Sequence, residues 1–135
     1  IKSFTDEDFV HLQSLKRLKL ENSKITGTGF THLKNIRYLS LRECNAINYL
    51  GTGLDVLQEL VLSECHSIKD KHFVNMSRLK RLTLYNCRGV VGSGLAHLKN
   101  IQYLRLIHSC NEIIHLGREN CVVFRNSTCQ SGVNG

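Results

Sequence analysis

The feature that most constrains the fold is a six-residue pattern, L-x-x-L-x-L, that recurs along the 135-residue chain. With Leu or Ile at its first position, the pattern begins at Leu15, Ile36, Leu57, Leu79 and Ile101, at steps of 21, 21, 22 and 22 residues. Five copies at a nearly constant spacing indicate an internal repeat. Such a repeat governs the whole architecture of a chain.

Each copy predicts a short β-strand, then a turn and a short helix. Leucines that alternate with other residues, as in Leu18-x-Leu20, have the strand period of two and share one face. A single strand cannot bury that face, whereas stacked copies form a parallel sheet with a continuous leucine ladder. In the second half of most copies, as in residues 28–33, 71–76 and 93–98, the apolar residues lie three apart, which predicts a short helix.

Three cysteines occupy one position of the repeat. Cys44, Cys65 and Cys87 each follow the last strand leucine by three residues, and an Ile or Val follows each of them by three more. With this ladder the chain resembles leucine-rich-repeat proteins of the cysteine-containing class, whose repeat reads L-x-x-L-x-L-x-x-(N/C)-x-(L/I). The resemblance covers residues 1–117. It implies an α/β fold: a right-handed, ribonuclease-inhibitor-like solenoid with a parallel sheet on the concave face and short helices or turns on the convex face.

The same resemblance implies two kinds of role. The class is familiar from substrate receptors of F-box ubiquitin ligases, and the alternating repeats are also similar to kinetoplastid leucine-rich-repeat proteins described as adenylate cyclase regulators. The chain contains no F-box stretch, so the first role is an analogy only.

The repeat also divides the chain. Residues 1–14 are predicted to be a partial repeat without its strand, since they align with residues 21 positions later. The copy that begins at Ile36 is abbreviated after Ile47 and is predicted to lack a helix. Residues 118–135, rich in Asn, Ser and Gly, are predicted to be a degenerate cap and a flexible tail. We expect the array to be monomeric or part of a longer array.

The six cysteines fall into two groups. The ladder cysteines are predicted to be buried free thiols that donate to a backbone carbonyl of the neighbouring turn. Reduced thiols favour a cytoplasmic or nuclear setting. The second group consists of Cys110, Cys121 and Cys129, and three states remain open for it: free thiols, a disulfide between Cys121 and Cys129, or a zinc site. The gaps of ten and seven residues between these cysteines do not match the spacing of paired zinc ligands. N-x-[ST] sequons at residues 75–77 and 126–128 keep a secreted protein possible.

Motifs for catalysis, cofactors and metals are not found. His11, His32 and His97 are predicted to be solvated residues one repeat or more apart, and the Gly-x-Gly clusters are predicted to be structural turns. Residues 6–8, an acidic run, are interpreted as negative charges at a helix start. We therefore expect no enzyme, no cofactor and no bound metal. The longest uncharged stretch, 44–54, is too short for a membrane span, so no membrane insertion is expected.

The chain has a formal charge of +7, and several of its basic residues lie at the positions between the strand leucines. These positions carry three of the four tyrosines and five basic residues against two acidic ones. Tyr and Arg are enriched at binding hot spots. The candidate partner-binding residues are Arg17, Lys19, Tyr38, Arg42, Arg81, Tyr85, Tyr103 and Arg105.

The principal functional hypothesis is a non-enzymatic protein–protein interaction module that binds an acidic partner protein on its concave face, within a longer chain. One alternative is nucleic-acid binding through the same basic surface, although the chain has no RRM, KH or helix-turn-helix signature. Another is a fragment of an extracellular recognition receptor.

Overall fold

The computed structural model describes residues 4–50, 53–108 and 122–126. In these ranges one parallel sheet holds six strands in sequence order. The strands are β1 (Arg17–Glu21), β2 (Tyr38–Arg42), β3 (Glu59–Ser63), β4 (Arg81–Tyr85), β5 (Tyr103–Ile107) and β6 (Val122–Asn126). Four short 3₁₀ helices lie between or before the strands: η1 (Asp6–His11), η2 (Thr28–His32), η3 (Asp70–Phe73) and η4 (Ser93–His97).

The predicted parallel sheet is confirmed, with the leucines in register from strand to strand. One ladder runs through Leu18, Leu39, Leu60, Leu82 and Leu104, and a second through Leu20, Leu41, Leu62, Leu84 and Leu106. The 21- and 22-residue repeats therefore place the same strand position side by side at each step.

The predicted helices are 3₁₀ helices. A 3₁₀ helix has three residues per turn, so apolar residues three apart stay on one face. Phe30 and Leu33 illustrate this, since both are fully buried. The described residues between β2 and β3 form turns and no helix, in agreement with the abbreviated copy.

The core is a single apolar cluster behind the sheet, and its described residues include no buried charged side chain. Leu60 and Leu62 on the internal strand β3 are fully buried, whereas Leu18 and Leu20 on β1 are only partly buried. In β6, Val123 pairs with Leu104 but is 47% exposed. Burial of the ladder is thus complete in the middle of the sheet and incomplete towards both sides.

A left-handed residue directly follows each of the first five strands. Asn22, Glu43, Glu64, Asn86 and His108 have φ between 50° and 53°. The N–H of Asn22 donates to the Arg42 carbonyl at 2.8 Å, and the next three copies repeat this bond to the following strand at 2.8–2.9 Å. A residue with positive φ is uncommon, and Asn tolerates it best. The repeated bond explains why the same turn recurs although only two of the five residues are Asn.

The ladder cysteines follow these turns and are buried and free, as predicted. Each thiol donates to a carbonyl of the preceding strand: Cys44 to Leu20 at 3.6 Å, Cys65 to Leu41 at 3.4 Å and Cys87 to Leu62 at 3.3 Å. Burial raises the pKa of the Cys87 thiol. Interaction with the Cys44 thiol, together with burial, raises the pKa of Cys65. The Cys65 and Cys87 sulfurs therefore serve as neutral donors between copies. Cys110, Cys121 and Cys129 lie outside the described residues.

The acidic run at residues 6–8 does more than supply charge to a helix start. The Asp6 carboxylate accepts N–H bonds from Thr26, Gly27 and Gly29 of the next copy at 2.8–3.0 Å. Partial burial alone would raise the pKa of Asp6, but these bonds outweigh it and hold the pKa below its usual value. The sequence-based interpretation was therefore incomplete, because it considered only the residue's own helix.

A second junction repeats the same arrangement. Asp70 accepts N–H bonds from Val91, Gly92 and Gly94 at 2.9–3.1 Å. Gly92 has φ 116°, in the left-handed region, and a Cβ at Gly94 would overlap the Asp70 backbone carbonyl. The glycines there are structural, as predicted, and these two junctions are joined by a carboxylate as well as by leucines.

Candidate binding face

The side of the sheet opposite the leucines, here called the open face, carries the candidate residues in three rows. The N-terminal row consists of Arg17, Tyr38, Glu59, Arg81 and Tyr103; the middle row of Lys19, Ser40, Val61, Thr83 and Arg105; the C-terminal row of Glu21, Arg42, Ser63, Tyr85 and Ile107. All of these side chains are exposed or half-buried. The structure thus places all eight predicted residues on one face, but it distributes them over three rows.

The N-terminal row contains two stacked Arg–Tyr pairs. The guanidinium carbon of Arg17 lies 4.1 Å from the centre of the Tyr38 ring on the neighbouring strand. That of Arg81 lies 5.3 Å from the centre of the Tyr103 ring, again one strand along. A cation over an aromatic face is attracted by the ring, by about 0.5–1 kcal/mol at an exposed site. Each stack orients an arginine that is otherwise free to rotate in solvent.

A cavity of about 250 Å³ opens at the beginning of the strands, between these two pairs. Its lining residues are Arg17, Arg37, Tyr38, Gln58, Glu59, Lys80, Arg81 and Gln102. Four of them are cations and one is an acid, so the cavity is positively charged. Four lining side chains come from outside the strands and were not among the candidate residues: Arg37, Gln58, Lys80 and Gln102.

Backbone hydrogen bonds fix the segment that enters each strand. The Lys16 carbonyl accepts the N–H groups of both Arg37 and Tyr38, at 2.8 and 3.0 Å. The carbonyls of the equivalent residues in the next copies accept in the same way. The residue before each strand therefore keeps one position relative to the sheet. This repeat position is the signal from which the additional lining residues were predictable.

The C-terminal row is different, because its arginine is already paired. Arg42 lies 3.5 Å from the Glu21 carboxylate and 3.8 Å from that of Glu43. These groups are exposed, so each ion pair contributes little to stability, but they neutralise the arginine. The Tyr85 ring meets His108 edge to face at 5.1 Å. Two of the eight candidate residues are thus separated from the cavity and engaged with neighbours.

The described ranges contain neither a metal cluster nor a helix that could span a membrane. No group of three His, Cys, Asp or Glu side chains in the described residues is arranged to hold a metal ion. His11, His32 and His97 each end a different 3₁₀ helix. Within 4–50, 53–108 and 122–126, no helix has the length and apolar character needed to cross a membrane.

No protein-family model, curated protein or solved structure matches the chain. Its own residues therefore carry the functional inference.

Proposed function

We propose that the chain is a leucine-rich-repeat solenoid of the cysteine-containing class that binds an acidic partner protein on its open face, without enzymatic activity. The observation that carries the proposal is the N-terminal row, where two oriented arginines flank a cavity that has two further cations in its lining. The open face is the concave side of the proposed solenoid.

The repeat assignment is supported by three features that recur in step. The strands pair in one register, a left-handed residue follows each of the first five strands, and the thiols of Cys44, Cys65 and Cys87 bond to the preceding copy. A solenoid is built in this way, since each copy contacts mainly its neighbours. The backbone environment after each strand favours a small, buried donor, which explains why cysteine occurs there.

The acidic nature of the partner is supported by charge. The strand positions of the open face carry five basic and two acidic side chains, and Arg37 and Lys80 add two cations at the cavity. One of the two acids, Glu21, is paired with Arg42. A positive surface accelerates encounter with a negative partner, and salt reduces this effect with a screening length of about 8 Å at physiological ionic strength.

The broader role follows from the resemblance and is part of the proposal. Binding an acidic protein suits substrate recognition for a ubiquitin ligase or regulation of a signalling protein by a longer chain. The buried free thiols of the ladder favour a cytoplasmic or nuclear location.

Charge reversal tests the proposal. The variant Arg81→Glu with Arg105→Glu is titrated with labelled poly-L-glutamate in 50 and 300 mM salt, beside the unmodified chain. We expect the unmodified chain to bind more weakly at high salt and the variant to lose binding by at least tenfold at low salt. Circular dichroism checks that both retain their secondary structure.

A matched control distinguishes the contribution of the open face to binding from that of the net charge. Lys34→Glu with Lys99→Glu makes the same charge change at two exposed positions outside the strands. This control should retain most of its affinity. Equal losses in both variants would show that net charge alone governs binding and would overturn the proposal. So would tighter binding of single-stranded DNA than of poly-L-glutamate, with a steep salt slope, because it would indicate nucleic-acid binding.

A further inference from the structure

The two Arg–Tyr pairs define a spacing as well as a charge. Arg17 lies on β1 and Arg81 on β4, three strands apart in the same row. Neighbouring strands are about 4.8 Å apart, so the two positions are separated by about 14 Å. This distance is fixed by the backbone of the sheet, since both residues begin a paired strand.

The side-chain N–H groups of Arg17 and Arg81 are available to bind a ligand. Within the part of the chain that the structure describes, neither guanidinium makes a hydrogen bond or an ion pair, and each is held by its tyrosine ring. A guanidinium stacked on a ring keeps its N–H groups in its own plane, where a carboxylate accepts two of them side by side. Each pair is thus a ready site for one carboxylate.

A separation of about 14 Å matches one spacing along an extended peptide. Extended chains rise about 3.3 Å per residue, so residues i and i+4 are about 13 Å apart. Side chains alternate between the two sides of such a chain, so i and i+4 both face the sheet, whereas i and i+3 or i and i+5 point to opposite sides.

Between the two pairs stands a negative group. Glu59 lies on β3 in the same row, next to Arg81, and it lines the cavity. In the described ranges its carboxylate has no ion pair within 4 Å. An acidic side chain that entered the cavity midway would meet this carboxylate, whereas a basic one would be attracted to it.

We propose that the open face recognises an extended peptide segment that lies across the strands, with two carboxylate side chains four residues apart and a basic or neutral residue midway. The Arg17–Tyr38 and Arg81–Tyr103 pairs each bind one carboxylate. The Glu59 carboxylate disfavours a third acidic side chain at the midway position. The inference rests on the proposed function, and it specifies the sequence pattern of the acidic partner.

Synthetic peptides test the spacing directly. Nine-residue peptides of Ser and Thr with two Glu residues separated by three, four or five positions have equal charge and composition. Each is titrated into the isotope-labelled chain, and amide chemical shifts give both the affinity and the location. The peptide with Glu at i and i+4 should bind at least fivefold more tightly than the other two, with the largest shifts at the beginnings of β1 and β4.

Variants assign the roles. Arg17→Ala and Arg81→Ala should each reduce the preference for the i,i+4 spacing to less than twofold. Arg81→Lys keeps the charge but loses the planar pair of donors, so it should retain weak binding and lose most of the preference. Lys34→Ala is the control, since that lysine is exposed and lies outside the strands. It should leave the preference unchanged.

The midway position has its own test. With Glu fixed at i and i+4, the unmodified chain should bind a peptide with Lys at i+2 at least threefold more tightly than one with a third Glu there. Glu59→Gln should remove this difference. If the two midway peptides bind the unmodified chain equally, the selective role of Glu59 is overturned.

The outcomes distinguish this inference from the proposed function. Equal affinity for all three Glu spacings, with shifts still on the open face, would overturn the two-pair arrangement and leave an acidic-partner surface in place. If neither the peptides nor poly-L-glutamate shifts the open-face amides, both proposals fail.

Discussion

The two faces of the sheet differ in how much their side chains vary from strand to strand. On the leucine face, every internal strand presents leucine at both positions, and these side chains are almost completely buried. On the open face, the same strands present Arg, Tyr, Glu, Ser, Val, Thr and Ile, with no position held constant along any row. The difference teaches that the repeat is uniform where neighbouring copies must pack and varied where side chains meet solvent.

The junctions between copies belong with the leucine face in this comparison. Asp6 and Asp70 each bind three N–H groups of the next copy, and the ladder thiols bond to backbone carbonyls. These contacts satisfy backbone groups that would otherwise be left unpaired where copies meet. Stability is therefore expected to reside in the leucines and junctions, and binding in the open face.

The largest effect is expected on the leucine face. Leu62→Ala removes a fully buried side chain from β3 and should lower the free energy of unfolding by about 2–5 kcal/mol. Urea unfolding followed by circular dichroism measures the change. Leu18→Ala, at a partly buried position on β1, should cost clearly less. Equal losses would contradict the difference in burial between β3 and β1.

Next comes a junction glycine. A Cβ at Gly94 would overlap the Asp70 backbone, so Gly94→Ala must displace one copy from the next. We expect a loss of about 1–3 kcal/mol in the free energy of unfolding. The neighbouring exposed Ser93 supplies the control, since Ser93→Ala should leave the unfolding midpoint almost unchanged. A neutral Gly94→Ala would show that the copies separate without cost.

A smaller, pH-dependent effect is expected at Asp6. Its pKa is lowered in the folded state, so its contribution is present above the unfolded pKa of about 3.9 and is lost as the pH falls through the folded pKa. Asp6→Asn should cost about 1–2 kcal/mol at pH 7, a value reduced because the group is partly solvated. Urea unfolding at pH 7, 5, 4 and 3 should show the two proteins converging towards acid pH.

Glu7→Gln is the control for that series. Glu7 is exposed and adjacent to Asp6, so its replacement should leave the pH dependence of unfolding as it is in the unmodified chain. If Asp6→Asn were equally destabilising at pH 3 and pH 7, its hydrogen bonds to the next copy would not depend on ionisation.

The smallest effect on stability is expected on the open face. Lys19→Ala at an exposed position of the middle row should change the free energy of unfolding by no more than about 0.5 kcal/mol. The same urea experiment measures it. A loss comparable to that of Leu18→Ala would break the division between a stabilising face and a binding face.

Much of the fold was predictable because the repeat is a local pattern in the sequence. The positions of Leu60 and Leu62 fix a strand and its buried side, and the 21- and 22-residue steps fix its parallel neighbours. The buried state of Cys65 followed in the same way. The type of helix was not predictable, since apolar residues three apart suit both an α-helix and a 3₁₀ helix.

Less of the candidate site was predictable. Its exposed strand residues could be named from the alternation, but Gln58 and Gln102, which complete the cavity, lie outside the strands. The neutralisation of Arg42 by Glu21 and Glu43 was also missed. Side-chain pairing on an exposed surface depends on the exact positions of neighbouring strands, and alternation does not supply these.

The sequence by itself determined the repeat, the strand positions and the face on which each strand residue lies, because these depend on local periodicity and on the need to bury leucine. Only the tertiary structure decided that Arg17 stacks on Tyr38, that Arg81 stacks on Tyr103, and that Asp6 binds the next copy's backbone. Each of these contacts joins residues some 20 positions apart. Their geometry is set when the copies stack, which no single copy specifies.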